Sequence, residues 1–329
     1  QYEVLAGVDD VAELIDQSEL QVDAWTLPEG TLFNGGPVMR IRGNYADFAR
    51  YETSILGFLS HASGIATKAY EVRQAADQFN DLSVLSFGAR HVNPKIAPVV
   101  ERGSLIAGFD GFSHVSSGDK LGKDPSGTMP HALVISLGSQ EKAWNGFNDS
   151  APDETARTVI ADTFTDEADE SLRAARELGD DLDGVRLDTT GSRRGDFEHI
   201  IKEVRWKLDG EGYEDVEIYV SGGLGPEDIQ ELGNLVYGFG VGGYVSNADP
   251  VDFSLDIVRR DGKAVTKRGK LPGVKTVYRD LNGEHRVEPA TDCDAGLFEK
   301  FVENGNVVNE YSIEEANQNL EEDRQTLNQ

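Results

Sequence analysis

Four short stretches of the sequence bring together residues whose types and spacing can do chemistry. Ser221-Gly222-Gly223-Leu224-Gly225-Pro226 follows an apolar run and opens a helical one, and Gly238-Phe239-Gly240-Val241-Gly242-Gly243 makes a second glycine-rich turn soon after. Glycines let backbone N–H groups approach an anion, and a helix N-terminus adds its positive dipole end. Ser221, Gly222, Gly223, Gly240, Gly242 and Gly243 are therefore candidate phosphate-binding residues; a pair of tight turns without a ligand is the plainer alternative. Val185-Arg186-Leu187-Asp188-Thr189-Thr190 alternates as a strand does, so Arg186 and Asp188 share a face. The planar fork of arginine suits a carboxylate or phosphate, and Asp188 can hold ribose hydroxyls or Mg²⁺, unless the two simply pair with each other. Arg193 and Arg194 follow in a hydroxyl-rich loop. In Ser86-Phe87-Gly88-Ala89-Arg90-His91, Phe87 can stack on a flat ring and Arg90 can meet an anion, although a core Phe beside a surface Arg fits equally well. Gly127-Thr128-Met129-Pro130-His131 sets a histidine between a Gly-Thr turn and an apolar helix. Histidine there can act as nucleophile or base near neutral pH, but spacing alone favours a capping or buried imidazole.

The elements that must position these residues follow a rhythm. Apolar strands are expected at Leu82–Phe87, Leu105–Phe109, Thr158–Thr163, Gly184–Leu187, Val216–Val220 and Phe239–Val245, with helices at Asp166–Glu177, Phe197–Leu208 and Pro226–Leu235 between them. Strand–helix alternation means βα units around a parallel sheet. An open doubly wound sheet is possible, but polar residues cluster just after most strands, where a β/α barrel keeps its active site. Before this region, Val11–Ile15 reads as helical, and Trp25–Leu32 with Val38–Arg42 reads as a hairpin-like pair. A long helical pattern then runs from Tyr45 to about Phe79. Gly57 and Gly64 within it suggest close approach of another element. Beyond Asn247 the alternation stops, and Phe253–Arg259, Gly262-Lys263-Ala264, Lys267–Lys270 and Lys275–Arg279 look like strands and turns.

Length and composition bound what this scaffold can do. At 329 residues the chain has room for about two domains. With 31 basic against 59 acidic residues the net charge is −28, which disfavours nucleic acid and anionic membrane surfaces as partners. Acidic residues in excess and scarce lysine also suit concentrated salt, where self-repulsion is screened. A single cysteine, Cys293, excludes an internal disulfide and a multi-cysteine metal site. With no long apolar segment and no secretory signal, a cytoplasmic protein is expected.

Taken together the motifs resemble nicotinate phosphoribosyltransferase, a type II phosphoribosyltransferase family, in its archaeal and halophile-like form. The resemblance rests on YETSILGFLSHASGIATKA, SFGARHVNP, GFDGFSHVSSGDKLG, DPSGTMPHAL, VRLDTTGSRRGDFE, VRWKL, VSGGL, GFGVGG and KRGKLPG, in that order. It implies an α/β fold in which an irregular, incomplete β/α barrel (81–249) is joined to an α+β sandwich domain built from N- and C-terminal segments (1–80 and 250–329). The implied reaction transfers phosphoribosyl from 5-phosphoribosyl-1-pyrophosphate (PRPP) to nicotinate in NAD salvage, with Mg²⁺, and is coupled to ATP hydrolysis through a phosphohistidine at His131. Phe87 then matches the ring-stacking aromatic, and Arg90 and Arg186 the cations lining the nicotinate and PRPP region. Asp188 matches the carboxylate near ribose and metal. Ser113, Lys120, Arg193 and Arg194 fall among the substrate-binding positions, and the two glycine turns hold the 5-phosphate. A neutral Ser113, where nicotinamide-using relatives are acidic, favours the acid substrate. The resemblance further implies a homo-oligomer, at least a dimer with shared active sites, whose shared aromatic belongs to a family N-terminal motif; either that stretch is missing from this sequence or the stacking partner is lost. No zinc is expected, because Tyr278–Phe298 offers only Cys293 and His285.

Three rivals stand beside this reading. Quinolinate phosphoribosyltransferase has a similar barrel and PRPP site but needs further cations for a dicarboxylate and gives GTMPHAL no role. A phosphosugar lyase or isomerase barrel explains SGGL and GVGG only. A non-catalytic binding protein would keep the pocket without the turnover.

Overall fold

Short runs of β-branched and aromatic residues, buried on both faces, form a sheet of six parallel strands. A computed structural model describes residues 2–153, 155–280, 283–291, 293 and 295–327. The chain divides into two compact units, one of Glu71–Glu101 and Phe109–Asn247, the other of Gln1–Tyr70, Arg102–Gly108 and Ala248–Gln329.

In the first of these, the strands are β1 (Ser83–Ser86), β2 (Gly111–Phe112), β3 (Thr158–Ile160), β4 (Gly184–Leu187), β5 (Glu217–Ser221) and β6 (Gly238–Val241). Their spatial order is β2-β1-β6-β5-β4-β3. Val84, Val159, Ile160, Val185, Leu187, Val220, Phe239 and Val241 are fully buried, as strands of a parallel sheet covered by helices must be. In a closed barrel β2 would pair with β3; here the sheet is open between them, while the last strand, β6, returns to the first. The segment between β2 and β3 is helical instead: Val115–Leu121, His131–Leu137 and Gln140–Ser150. The result is a curled parallel half-barrel. Side-chain caps fix where several crossover helices begin. Asp166 accepts from the Ala168 and Asp169 N–H groups, and Asp196 from His199 N–H.

The strand expected at Leu105–Phe109 is not formed. Leu105 and Ile106 close the helix Ala97–Ile106, and the strand is the shorter Gly111–Phe112. A brief apolar run reads alike for a buried helix end and a buried strand.

The second unit holds an antiparallel sheet ordered Asn306–Val307, Glu299–Glu303, Val22–Thr26, Met39–Gly43, so both ends of the chain meet in one sheet. Trp25, Phe33, Phe301 and Leu5 anchor its core. Buried Glu29 accepts from the Gly7 and Val8 N–H groups (2.7 and 3.2 Å), capping the helix Val8–Gln17, and takes a bidentate bond from Arg102 (2.8 and 2.7 Å). The expected long helix is present as Glu52–Ala76. A Cβ on Gly64 would fall 2.3 Å from the Asp249 carbonyl oxygen, which is the close approach foreseen. Gly57 faces open space, so the same inference fails there. Phe253–Arg259 forms no extended strand, and Lys267–Lys270 is a turn closed by the Lys270 N–H to the Lys267 carbonyl (3.3 Å); Arg259–Arg260 pairs with Lys263–Ala264, and Lys275–Arg279 with His285–Pro289.

Candidate active site

Parallel strands end together, so the residues following them share one rim. Asp162, two residues beyond β3, is the centre of that rim, its side chain only 2% exposed. Its Oδ2 accepts the Asp188 backbone N–H at 2.7 Å, and its Oδ1 lies 2.8 Å from His131 Nε2. This hydrogen bond, reinforced by the charges of Asp162 and Asp188, raises the His131 pKa above its ordinary value although burial opposes it. The other ring nitrogen, Nδ1, lies 4.0 Å from Asp188 Oδ2. Met129, Pro130 and the start of His131–Leu137 thus deliver an imidazole between two carboxylates. Asp188 in turn accepts from the Ser221 hydroxyl at 2.7 Å, which joins the rim after β4 to the rim after β5.

Arg186 and Asp188 do share a face, as their spacing requires, but each uses Ser221 rather than the other. Arg186 donates from Nη1 to Ser221 Oγ (3.3 Å) and from Nη2 to the Met129 carbonyl (3.1 Å). Its guanidinium carbon stands 5.6 Å from the Phe87 ring centre, a cation–π arrangement. Its Nε is buried with no hydrogen-bond partner among the described residues. Burial, together with the charge of Arg90, pulls the Arg186 pKa below the usual arginine value against the pull of Asp188 and Asp162. Phe87 lies flat on β6: a Cβ on Gly240 would meet its ring at 2.3 Å, so only glycine leaves room for it. One face of Phe87 is therefore covered by backbone, and a cation stands beside the ring.

The two glycine turns follow neighbouring strands, with Gly240 in register with Ser221. Gly222 and Gly223 adopt φ of 101° and 73°, where a side chain is strained, and the space around Gly223 is open. Pro226 opens the helix Pro226–Leu232 directly after this turn. The His91 imidazole faces the second turn, its Nε2 3.4 Å from where a Gly242 Cβ would sit.

Other expected site residues are placed differently. Arg194 donates to the carbonyls of Thr189 (3.2 Å), Ser221 (3.1 Å) and Gly222 (2.8 Å) and stacks on Phe197, so it clamps two rim loops rather than offering a free charge. Arg193, Lys120 and Ser113 are exposed; Ser113 is tied to the rim by its N–H bond to the Ser86 carbonyl (3.1 Å). Glu101, wholly buried on Ala97–Ile106 near Ser86, has no hydrogen bond within 3.5 Å at either carboxyl oxygen among the described residues, and neither has the Ser86 hydroxyl. Burial pushes the Glu101 pKa up to about 7, with Ser86 pulling the other way. Asp162 and His91 were missed in the sequence, although Asp162 follows an apolar strand just as Asp188 does. Among the described residues, no helix is long and apolar enough to cross a membrane.

The model of the quinolinate phosphoribosyl transferase N-terminal domain matches residues 1–63, and that of the C-terminal domain matches residues 65–256. The chain belongs to this family. A crystal structure of nicotinate-nucleotide pyrophosphorylase from Pyrococcus furiosus is 44% identical, with a TM-score of 0.92 over 100% of this chain and 86% of that one. The human nicotinic acid phosphoribosyltransferase structure shares the fold at 18% identity and a TM-score of 0.74, covering 99% of this chain and 87% of that one. A nicotinate phosphoribosyltransferase of Mycobacterium tuberculosis is 33% identical over 281 residues, which is 80% of this chain but 58% of that protein. The chain thus spans a little over half the length of such curated relatives. These findings correct the expectation of an ATP-coupled nicotinate phosphoribosyltransferase with a phosphohistidine at His131. The motifs behind it surround Phe87, Asp188 and the glycine turns, groups suited to a ring, a ribose and a phosphate. Every pyridine phosphoribosyl transfer shares those parts, so they report neither the number of ring carboxylates nor a second nucleotide.

Proposed function

We propose that the chain transfers phosphoribosyl from PRPP to quinolinate, giving nicotinate mononucleotide, carbon dioxide and pyrophosphate. Supporting this beyond family membership is a spare donor beside Phe87. Arg186 is half-buried with its Nε buried and unbonded among the described residues, and Arg90 is close enough for its charge to act on Arg186 alongside those of Asp188 and Asp162. A guanidinium donor left unbonded at the ring platform, with a second arginine near it, suits a dicarboxylate.

In this reading Phe87 stacks on the pyridine, and Arg186 and Arg90 hold its two carboxylates. The backbone of Gly222–Gly223 and Gly242–Gly243 receives the 5-phosphate. Asp188 fits a shared role in holding Mg²⁺. Its Oδ1 is fixed by Ser221, while among the described residues Oδ2 makes no hydrogen bond and has His131 Nδ1 at 4.0 Å, leaving one carboxylate oxygen for an ion otherwise held by substrate phosphates and water. Bound there, the ion would offset charge growing on pyrophosphate. As the C1–oxygen bond breaks, the sugar gains oxocarbenium character, which the Asp188 carboxylate stabilises electrostatically. The pyridine nitrogen attacks with its own lone pair, so no base is needed and positioning dominates. Once that nitrogen is quaternary, the ring-to-carboxylate carbon bond beside it breaks, CO₂ leaves, and the electron pair left on the ring takes a proton from solvent.

The experiment supplies PRPP and Mg²⁺ with quinolinate, nicotinate or nicotinamide in separate reactions and follows nucleotide and CO₂. Nicotinate mononucleotide with equimolar CO₂ from quinolinate is the expected result. Quinolinate left intact while another pyridine turns over would overturn the proposal.

A further inference from the structure

The two glycine turns are not independent of each other. Tyr244 directly follows the second turn, and its ring lies against Gly225 of the first: a Cβ built on Gly225 would fall 3.1 Å from Tyr244 Cδ2 and 3.4 Å from Cε2. At the far end of the ring, the Tyr244 hydroxyl donates to Glu71 Oε2 at 2.6 Å. Glu71 lies on the long helix Glu52–Ala76, so the ring is held at its tip and pressed by its edge against the N-cap of Pro226–Leu232. Gly225 is itself fixed, its N–H donating to Asp228 Oδ2 at 2.8 Å. No hydrogen bond to a ligand is asked of this tyrosine.

We infer that Tyr244 is a positioning residue that sets the spacing of the two glycine turns, and through it the affinity of the subsite for the phosphate of a phosphorylated sugar. The inference rests on the phosphoribosyl reading above but assigns a residue that the reading does not use. Two parallel strands fix where their turns begin, and leave the turns themselves free to spread. A rigid aromatic ring between the turns, anchored by Glu71, removes that freedom before ligand arrives. Preorganisation of this kind appears in binding, because the ordering has been completed beforehand. It leaves the pyridine platform at Phe87 and the carboxylates at Asp162 and Asp188 untouched, so the effect belongs to one substrate only.

The test compares Tyr244→Ala, Gly225→Ala and the double variant by KM for PRPP, KM for quinolinate and kcat, and by the thermal shift that PRPP and inorganic phosphate each produce. Tyr244→Ala is expected to raise KM for PRPP about tenfold and reduce the phosphate-induced shift, with KM for quinolinate and kcat within about threefold. Gly225→Ala forces the ring aside and is expected to raise KM for PRPP as well. In the Tyr244→Ala background the added methyl meets no ring, so the double variant should be no worse than Tyr244→Ala. Additive losses, or equal changes in both KM values and kcat, would overturn the inference. A wild-type protein whose melting responds to neither PRPP nor phosphate would overturn the phosphoribosyl reading and this inference with it. An unchanged PRPP affinity in Tyr244→Ala would overturn the inference alone.

Discussion

Asp162→Asn tests the centre of the rim, because it keeps the shape of the side chain and changes which atoms can accept. The carboxylate serves two donors, Asp188 N–H at 2.7 Å and His131 Nε2 at 2.8 Å. An amide has one oxygen and one NH₂ group. The Asp188 N–H is fixed by the backbone and needs the oxygen, so the NH₂ group turns to His131. His131 Nε2 must then accept, and the ring proton moves to Nδ1, on the side of Asp188 Oδ2. The substitution therefore removes a charge and reverses the tautomer together. A hydrogen bond to a charged group contributes about 1.5–3 kcal/mol, and solvent screening puts this one at the low end because the imidazole is 35% exposed.

The sign follows from the direction of the shift. In the wild type the His131 pKa lies above 6.5, chiefly through Asp162. Protonation of His131 is favoured by folding, so this stability is fully present below the unfolded pKa and is lost as pH rises through the folded one. In Asp162→Asn the midpoint should fall below that of the wild type. NMR titration of the imidazole nitrogens reads both the midpoint and the tautomer. The expected outcome is a lowered midpoint together with a neutral ring protonated at Nδ1. An unchanged His131 midpoint, or a wild-type tautomer in the variant, would refute the account of Asp162 as the group that sets the imidazole.

Three further outcomes are expected. Gly240→Ala drives a methyl into the Phe87 ring, at 2.3 Å, and should raise KM for the pyridine substrate tenfold or more; a normal KM would mean that the ring binds elsewhere. Asp188→Asn should reduce turnover by about 100-fold with the melting temperature nearly unchanged, since Ser221 can still donate to the amide oxygen; wild-type turnover would remove Asp188 from the reacting centre. Glu101 is neutral in the fold up to about pH 7, whereas the unfolded chain ionises it near 4.5, so the fold loses stability across that window, by at most about 3 kcal/mol at about 1.4 kcal/mol per unit. Chemical denaturation of Glu101→Gln from pH 4.5 to 8 should show a flatter stability curve than the wild type, and identical slopes would assign the pH dependence to other groups.

What the sequence made legible follows from what is local. Strands β3 to β6 and the glycine turns announce themselves through buried runs broken by glycine, and the two-residue spacing of Arg186 and Asp188 places them on one face without any tertiary knowledge. Leu105–Ile106 failed because a helix end and a strand share the same apolar signature over a few residues. The bonding of Arg194 was hidden for another reason: its partners are the carbonyls of Thr189, Ser221 and Gly222, and a bond to a distant backbone leaves no mark in composition. Asp162 was hidden inside the expected strand Thr158–Thr163, which ends at Ile160 in the structure, and unlike Asp188 it had no charged neighbour at matching spacing.

The choice between pyridine acids was harder to read because it depends on an imbalance rather than on a motif. Ring, ribose and phosphate each demand a recognisable local shape: an aromatic against glycine, a carboxylate beside a hydroxyl, an open turn. A second carboxylate on the ring demands only surplus positive charge, and a guanidinium counts as surplus only once its neighbours are known. Arg186 qualifies through its buried, unbonded Nε, although the charges of Asp188 and Asp162 offset its own. Arg194, with the same sequence credentials, does not qualify, since three carbonyls already occupy it. In the proposed reading a second carboxylate is met by whichever arginine donors the fold leaves unbonded, and that quantity first exists when the rim is assembled.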